Sequence, residues 1–256
     1  MLENHRVQCE AGCDNMRVLD QEQLQSRFPW LNASDILLGS YGASGEGWFD
    51  PWALVQGLKH KSMEMGVTFV TGTPVHSTRD SQTGRIQSVD VQYTNAKSNK
   101  NAAKSVMTIA VNQVVNATGA HCQAAMNVLS GDQGLQNAIP VEPRKRCIFF
   151  FHCPSAASWA APLTVCPTTN VYFRSEGTGT SGNFLCGVSP CFKTDRAIDS
   201  EADLDVVDDH LYDDIIWPAL YHRVPDYFGE IKVKSSWAGL YECKSKVCCS
   251  IHQSFS

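Results

Sequence analysis

The strongest constraint on the fold is one helix whose first and last turns are both marked by particular residues. Asp50 can cap the first turn with its carboxylate, and Pro51 follows at the first helical position, where proline is tolerated. Apolar side chains recur at helical spacing as far as Met65, and Gly66 then ends the pattern. Residues 67–70 are β-branched or aromatic. Together these residues predict a helix that feeds a strand of a sheet.

The remaining patterns are mostly those of antiparallel sheet. Apolar and polar residues alternate through residues 89–93 and 107–111, which predicts a β-meander. Residues 171–174 and 184–188 predict a hairpin around a turn rich in glycine, threonine and serine. A further amphipathic helix is predicted to end at Pro218. The predicted fold class is therefore mixed α/β, of the α+β kind.

The turn of that hairpin matches a dinucleotide-binding pattern by its letters alone. Residues 177–182 read Gly-Thr-Gly-Thr-Ser-Gly, which fits Gly-x-Gly-x-x-Gly. Such a motif needs a helix after it, because the helix N-terminus presents amide groups and its dipole to the pyrophosphate. Residues 183–188 read as a strand instead. We therefore interpret the glycines as a flexible hairpin turn.

Residues 114–120 form a more informative segment. An apolar run ends in Ala117, Thr118, Gly119 and Ala120, small residues that allow a backbone to approach another group closely. A strand that ends beside a flat cofactor explains this pattern, and a tight packing crossover explains it equally well.

Tyr172 and Arg174 are candidate substrate-contacting side chains. They stand two residues apart on a predicted strand and so share one face, and the guanidinium could pair with a carboxylate. An ordinary surface face of the sheet is the interpretation that the residues alone favour.

Composition excludes several classes of function. The formal net charge is −5, which gives no basis for a nucleic-acid partner. The 11 cysteines do not have zinc-site spacing, and we interpret them as reduced thiols. The sequence shows no transit peptide, and no apolar run is long enough to predict a transmembrane segment.

A family resemblance follows from two of these segments. Residues 47–54, followed by Gly66, resemble the Gly-x-x-Asp-Pro helix of the D-amino-acid oxidase/sarcosine dehydrogenase superfamily. Residues 114–120 resemble that superfamily's Val-x-Ala-x-Gly-Ala strand. The resemblance implies FAD as cofactor, and oxidation of CH–NH groups in which the amine's α-carbon gives a hydride equivalent to the bound flavin.

The resemblance also implies an architecture and site residues. A partial Rossmann-like FAD domain would be interleaved with a largely antiparallel substrate-domain sheet. The predicted segments are 1–45 (substrate or cap domain), 46–130 (FAD domain), 131–242 (substrate-domain sheet and helix) and 243–256 (a divergent tail). By position, Val75 would face the adenine and Ala117, Thr118 and Gly119 would approach FAD. Tyr172 and Arg174 would lie on the substrate side.

Further expectations rest on the same resemblance. Residues 28–30, 140–146, 152–154 and 237–239 resemble a member of the superfamily linked to assembly of mitochondrial complex I. Complex I assembly intermediates are therefore expected partners, and a mitochondrial location is expected. No counterpart of the family's pyrophosphate-binding glycine turn is found in the sequence, nor of its later glycine-rich segment beside the flavin. We therefore expect weak or absent FAD binding, and self-association through an exposed sheet edge.

Overall fold

The computed structural model describes residues 1–93, 105–131, 139–190, 195, 197, 198 and 200–244. The α-helices in chain order are α1 (Leu2–Glu10), α2 (Gln21–Arg27), α3 (Pro51–Glu64), α4 (Cys122–Ser130), α5 (Asp209–Leu211) and α6 (Trp217–Arg223). The strands are β1 (Met16–Asp20), β2 (Leu38–Gly42), β3 (Thr73–Arg79), β4 (Ile86–Tyr93), β5 (Ser105–Ala110), β6 (Val141–His152), β7 (Thr164–Val165), β8 (Val171–Ser175), β9 (Asn183–Val188) and β10 (Lys232–Lys244).

The chain divides into two compact units, and each is built from separate stretches of sequence. Unit 1 contains residues 1–48 and 144–240 of the described chain, and unit 2 contains residues 49–143 and 241–244. The mixed fold with antiparallel sheets is confirmed, and the segments of the two units alternate along the chain. No helix in the described ranges is long and apolar enough to cross a membrane.

Unit 1 is organised around a five-stranded sheet in the order β10-β6-β9-β8-β7. The predicted hairpin is confirmed, because β8 pairs antiparallel with β9 and the glycine-rich turn joins them. Alternate residues of β6, β8 and β9 are buried, so one face of the sheet supplies the core. A separate two-stranded sheet, β1 with β2, completes the strands of this unit.

The core of unit 1 is aromatic. Phe151 and Phe184 stack at 5.1 Å between ring centroids, and Phe228 meets both rings edge-on. Trp30 stacks on Trp159 with ring centroids 4.5 Å apart. Each fully buried aromatic side chain contributes about 1.5–3 kcal/mol from burial alone. Unit 1 thus possesses a dense core of its own.

Unit 2 has a three-stranded antiparallel meander, β3-β4-β5, and two helices. The meander of residues 89–93 and 107–111 is confirmed, although the sequence patterns missed β3. The Ser77 hydroxyl and the Arg79 guanidinium donate to the Leu129 carbonyl at the end of α4, at 3.1 and 2.7 Å. These bonds satisfy a carbonyl that the helix end leaves without an intrahelical partner.

Helix α3 confirms the strongest sequence prediction. The Asp50 carboxylate accepts hydrogen bonds from the amides of Trp52 and Ala53, at 2.9 and 3.0 Å. Gly66 has a φ of +94°, the left-handed conformation that ends many helices. The strand predicted for residues 67–70 is wrong, because they join no β-ladder in the described chain.

Two other local predictions are wrong. Residues 114–117 form no strand, and a 3₁₀ turn, Gly119–His121, leads instead into α4. The helix predicted to end at Pro218 continues to Arg223. A π-helical turn, Tyr212–Ile216, precedes the proline, which stands in the first turn of α6 where its missing amide is tolerated.

Candidate functional site

The small-residue turn of unit 2 is held in shape by one asparagine. The Asn116 amide nitrogen donates to the Cys122 carbonyl at 2.8 Å. Its amide oxygen accepts the hydroxyl of Thr118 at 2.8 Å. Asn116 therefore bridges the two ends of the turn, an arrangement typical of asparagine beside a helix start.

Gly119 makes this turn accessible to another group. Its φ is +55°, a conformation that favours glycine, and Ala117, Thr118 and Gly119 are all exposed. A methyl group added to Gly119 would meet only a carboxylate oxygen of Glu242, at 3.7 Å. The turn thus presents a small, open surface with a negative charge at its side.

Val75 lies in the same unit, on β3. The register between β3 and β4 shifts between Pro74 and His76, so Val75 occupies an irregularity of the ladder. Its side chain is 44% exposed. Hydrogen bonds from β3 to the Leu129 carbonyl link this strand to α4, the helix that follows the Gly119 turn. FAD contact by Val75 and by residues 117–119 stays a prediction.

These residues fit only part of a flavin dinucleotide site. The open turn at Gly119 suits close approach of a flat or sugar-like group.

A pyrophosphate needs unsatisfied amides at a helix N-terminus and a positive environment. Helix α3 follows a glycine-rich loop, but Asp50 already accepts its amides and adds negative charge. Residues 177–182 join two strands and open no helix. The described residues therefore do not fit the pyrophosphate, and Glu242 is also unfavourable for it.

The second candidate surface is the half-buried face of the sheet in unit 1. Tyr172 and Arg174 alternate with the fully buried Phe173, so they share the face that is turned away from the core, as predicted. Tyr172 pairs across the strands with Gly187. A methyl group on Gly187 would lie 2.6 Å from the tyrosine hydroxyl oxygen, so the glycine leaves room for the phenol.

Arg174 is already engaged within unit 1. Its guanidinium lies 2.5 Å from a carboxylate oxygen of Glu176 and 4.9 Å from the centroid of the Trp48 ring. Neither partner was predicted from the sequence patterns. A substrate carboxylate would have to compete with Glu176, although the pair is partly exposed and such pairs contribute only about 0–1 kcal/mol.

Sequence reasoning also missed a polar pair on neighbouring strands. His152 of β6 and Asn183 of β9 face each other in the ladder, and the ring Nδ1 of His152 is 2.9 Å from the Asn183 amide oxygen. Both residues are half-buried, and they follow the same alternation as Tyr172 and Arg174. The nearest sequence signal was alternation along each strand, which did not identify the pairing.

Comparison with known proteins gives one consistent result. A sequence profile of the FAD dependent oxidoreductase (DAO) family matches residues 2–248. FAD-dependent oxidoreductase domain-containing protein 1 from Xenopus laevis is 35% identical over 258 aligned residues, which cover 94% of this chain and 48% of that protein. The Mus musculus protein of the same name is 36% identical, with 94% and 50% covered.

Solved structures agree at the level of the fold. L-proline dehydrogenase from P. horikoshii matches 93% of this chain and 55% of its own, with a TM-score of 0.69 and 18% identity. Glycine oxidase from Bacillus cereus matches with a TM-score of 0.61 and 13% identity, over 95% of this chain and 56% of its own. The chain spans about half the length of the curated relatives it matches. The chain belongs to the FAD-dependent oxidoreductase (DAO) family.

Proposed function

We propose that this chain is part of a flavin-dependent oxidoreductase that acts on the CH–NH group of an amine or amino acid. The observation that carries the proposal is the open Ala117–Thr118–Gly119 turn, held by Asn116, in a chain of the DAO family. This turn offers exposed main chain beside a glycine at which a planar or sugar-like group meets no steric barrier. When bound, the flavin supplies the electron-accepting chemistry, and the protein supplies position and electrostatics.

The substrate class is proposed from the sheet face of unit 1. Arg174 offers a guanidinium for a carboxylate, and Tyr172 offers a phenol two residues away. L-proline dehydrogenase and glycine oxidase, which share the fold, are named for amino acids. Titration with glycine and with L-proline tests this step by NMR of the backbone amides of Tyr172, Phe173 and Arg174, positions whose amides the variant Arg174→Gln retains. We expect saturable shifts that Arg174→Gln abolishes, and shifts that persist in Arg174→Gln would contradict the assignment.

We also propose that these 256 residues by themselves bind FAD weakly or not at all. Support comes from two carboxylates, because Asp50 occupies the N-terminus of α3 and Glu242 lies beside Gly119. A hydrogen bond to a charged group contributes about 1.5–3 kcal/mol. A site that lacks three such bonds to the pyrophosphate would lose about three to six decades of affinity.

The role of the Gly119 turn can be tested even if affinity is low. FAD in the millimolar range should shift the amide resonances of Thr118, Gly119 and Ala120 in ¹⁵N-labelled chain. Gly119→Ala should remove these shifts, because a methyl group blocks the approach. Gly84→Ala is the matched control, since Gly84 also has a positive φ, +68°, and open space around it. Equal shifts in both variants would refute the assigned contact.

A non-catalytic assembly module, or a product without function of its own, is the second candidate. The observation that favours a binding role is the apolar surface of α3, where Trp52, Val55 and Leu58 are 71%, 54% and 61% exposed. Within this alternative we propose a mitochondrial location and association with complex I assembly intermediates. Self-association through an edge of the three-stranded sheet is a further proposal.

These alternatives separate by different measurements. Co-purification of the tagged chain with complex I intermediates from fractionated mitochondria would support the assembly role. If the chain does not co-purify with them, the alternative of a product without function of its own is favoured. Sedimentation velocity tests self-association. Val106→Lys, at an exposed position of the edge strand β5, should convert oligomers to monomers. A native chain that is already monomeric would exclude the edge contact.

A further inference from the structure

An apolar cavity in unit 1 is lined by none of the residues assigned to flavin or substrate. Its volume is about 330 Å³, within the range of small-molecule sites. Strand β2, the segment after α2 and the loop that ends in the edge strand β7 supply its walls. The side chains that the argument uses are Leu24, Phe28, Leu31, Leu38, Tyr41 and Arg223.

The walls favour an apolar occupant over water. Leu24 and Leu31 are buried members of the wall, and the ring of Phe28 packs near Trp30 at 5.6 Å between centroids. A volume of this size holds on the order of ten water molecules, yet each ordered water needs about three polar partners. The mostly hydrocarbon walls supply few such partners, so a largely hydrocarbon ligand gains free energy by replacing that water.

The charge of Arg223 is not available to a ligand. Its guanidinium holds Asp35 through two bonds of 2.8 and 3.1 Å and donates to the Asn32 carbonyl at 2.6 Å. An anionic ligand would have to displace Asp35 from a guanidinium that is 3% exposed. Separating the buried guanidinium from its partly exposed carboxylate partner is unfavourable, which makes the cavity selective for a neutral molecule.

The Tyr41 hydroxyl is a hydrogen-bond donor at the wall. The Tyr41 hydroxyl oxygen accepts a bond from Arg27 at 3.2 Å, and the phenolic hydrogen has no acceptor among the described residues. A phenol can donate and accept at once, so Tyr41 can donate to a carbonyl or ether oxygen of a ligand.

We propose that this cavity is a second ligand site, for a neutral and largely hydrocarbon molecule with one hydrogen-bond acceptor, such as an aromatic ketone. The proposal does not use the residues assigned to flavin or substrate, because Gly119, Tyr172 and Arg174 are not wall residues. Val165 of the wall is the cross-strand neighbour of Tyr172.

Two probes of nearly equal shape test the proposal on the full chain. Acetophenone carries a carbonyl, and ethylbenzene replaces it with a methylene. Methyl-labelled leucine and isoleucine side chains are followed by ¹³C NMR. We expect saturable shifts at Leu24, Leu31 and Leu38 with both probes, and tighter binding of acetophenone by about three- to tenfold, the value of one hydrogen bond.

Variants identify the site. Leu38→Trp should fill the cavity and abolish binding of both probes, whereas Leu37→Trp is the control, because Leu37 is 89% exposed and lies outside the wall. Ser40→Phe, at an exposed position of the wall, provides a second blocking variant if Leu38→Trp does not fold. Tyr41→Phe should remove only the preference for acetophenone.

The outcomes are decisive in each direction. Cavity-specific shifts that either blocking variant removes support the site, and loss of the ketone preference in Tyr41→Phe supports the donor. The proposal is overturned if neither probe shifts these methyl groups up to its solubility limit, or if Leu37→Trp and Leu38→Trp respond alike. Equal affinity for the two probes in the native chain overturns the assigned chemistry of the ligand.

Discussion

The two units of this chain differ in how completely each buries its own apolar residues. In unit 1, one continuous cluster contains four fully buried phenylalanines, Phe151, Phe173, Phe184 and Phe228. In unit 2, the buried residues of the described chain are few: Ser77, Val89, Ala120, Leu129, Ser130 and Cys243. Helix α3 buries none of its residues.

The difference indicates which unit depends on further contacts. A continuous aromatic core gives unit 1 a source of stability within its own residues. Large apolar side chains on the surface of unit 2, such as Trp52 and Phe69, mark a surface that other protein or a ligand would cover. The candidate flavin turn lies in the unit with the smaller core, and the candidate substrate face lies in the unit with the larger one.

The largest expected effect tests the core of unit 1. Phe184→Ala removes a ring that is fully buried, so the free energy of unfolding should fall by about 3–5 kcal/mol. Phe69→Ala, in unit 2, removes a ring that is 52% exposed and should cost less than about 1 kcal/mol. Urea unfolding followed by tryptophan fluorescence measures both. Similar losses in the free energy of unfolding for the two variants would contradict the difference in burial between the two units.

The second effect concerns the ion pair that holds the N-terminal segment within unit 1. A hydrogen bond from Arg223 holds the pKa of Asp35 at about 2, below its ordinary 3.8. Because the folded pKa is depressed, the stabilisation is present above about pH 4 and is lost as the pH falls toward about 2. Asp35→Asn should cost about 1–2 kcal/mol near neutral pH, a modest value because the carboxylate is 35% exposed.

Unfolding curves at several pH values provide the readout for this pair. The stability gap between Asp35→Asn and the native chain should close between about pH 4 and pH 2. Asp226→Asn, at an exposed position shortly after Arg223 in the sequence, is the control and should change stability by less than about 0.5 kcal/mol. A gap that is constant with pH would show that the carboxylate's charge is not what stabilises this segment.

A third, smaller effect is expected at the start of α3. Asp50→Ala removes the acceptor for two amides and should destabilise the helix by about 1 kcal/mol, whereas Asp50→Ser keeps a cap. Hydrogen exchange at the α3 amides is the measurement, and exchange in β9 of unit 1 should not change. Faster exchange in both places would mean that the two units open together.

The smallest effect is expected at the Gly119 turn. Asn116→Ala loses the bonds to Thr118 and Cys122 and should destabilise the turn by about 1 kcal/mol or less, since exposed hydrogen bonds contribute little. Asn116→Asp keeps the acceptor for Thr118 and should retain part of the order. Amide chemical shifts of Thr118 and Gly119 report the change, and unchanged shifts in Asn116→Ala would exclude the bridging role.

Local signals made part of the fold predictable. The ends of α3 could be predicted because Asp50, Pro51 and Gly66 act within a few residues of themselves. The turn between β8 and β9 could be predicted because the residues after the glycines alternate. Helix α4 was missed because no side chain caps its start, so it carries no such signal. Residues 67–70 have strand propensity, but a strand also needs a partner.

The candidate sites were predictable only where a single segment carries them. Small residues identified the turn at Ala117–Gly119, and alternation identified the shared face of Tyr172 and Arg174. Their partners come from distant or unrelated positions. Glu242 reaches Gly119 from far along the chain, and Trp48 reaches Arg174 in the same way. No local sequence pattern encodes such pairings, so the position of the Glu242 carboxylate beside the turn could be found only from the folded structure.

We propose that unit 2 offers an open contact surface to a flavin but does not bind its pyrophosphate. The flavin-to-protein ratio of the purified 256-residue chain, from its absorbance spectrum after gel filtration without added FAD, tests this most directly. We expect a ratio far below one, with a colourless protein. A yellow protein with a ratio near one would contradict it.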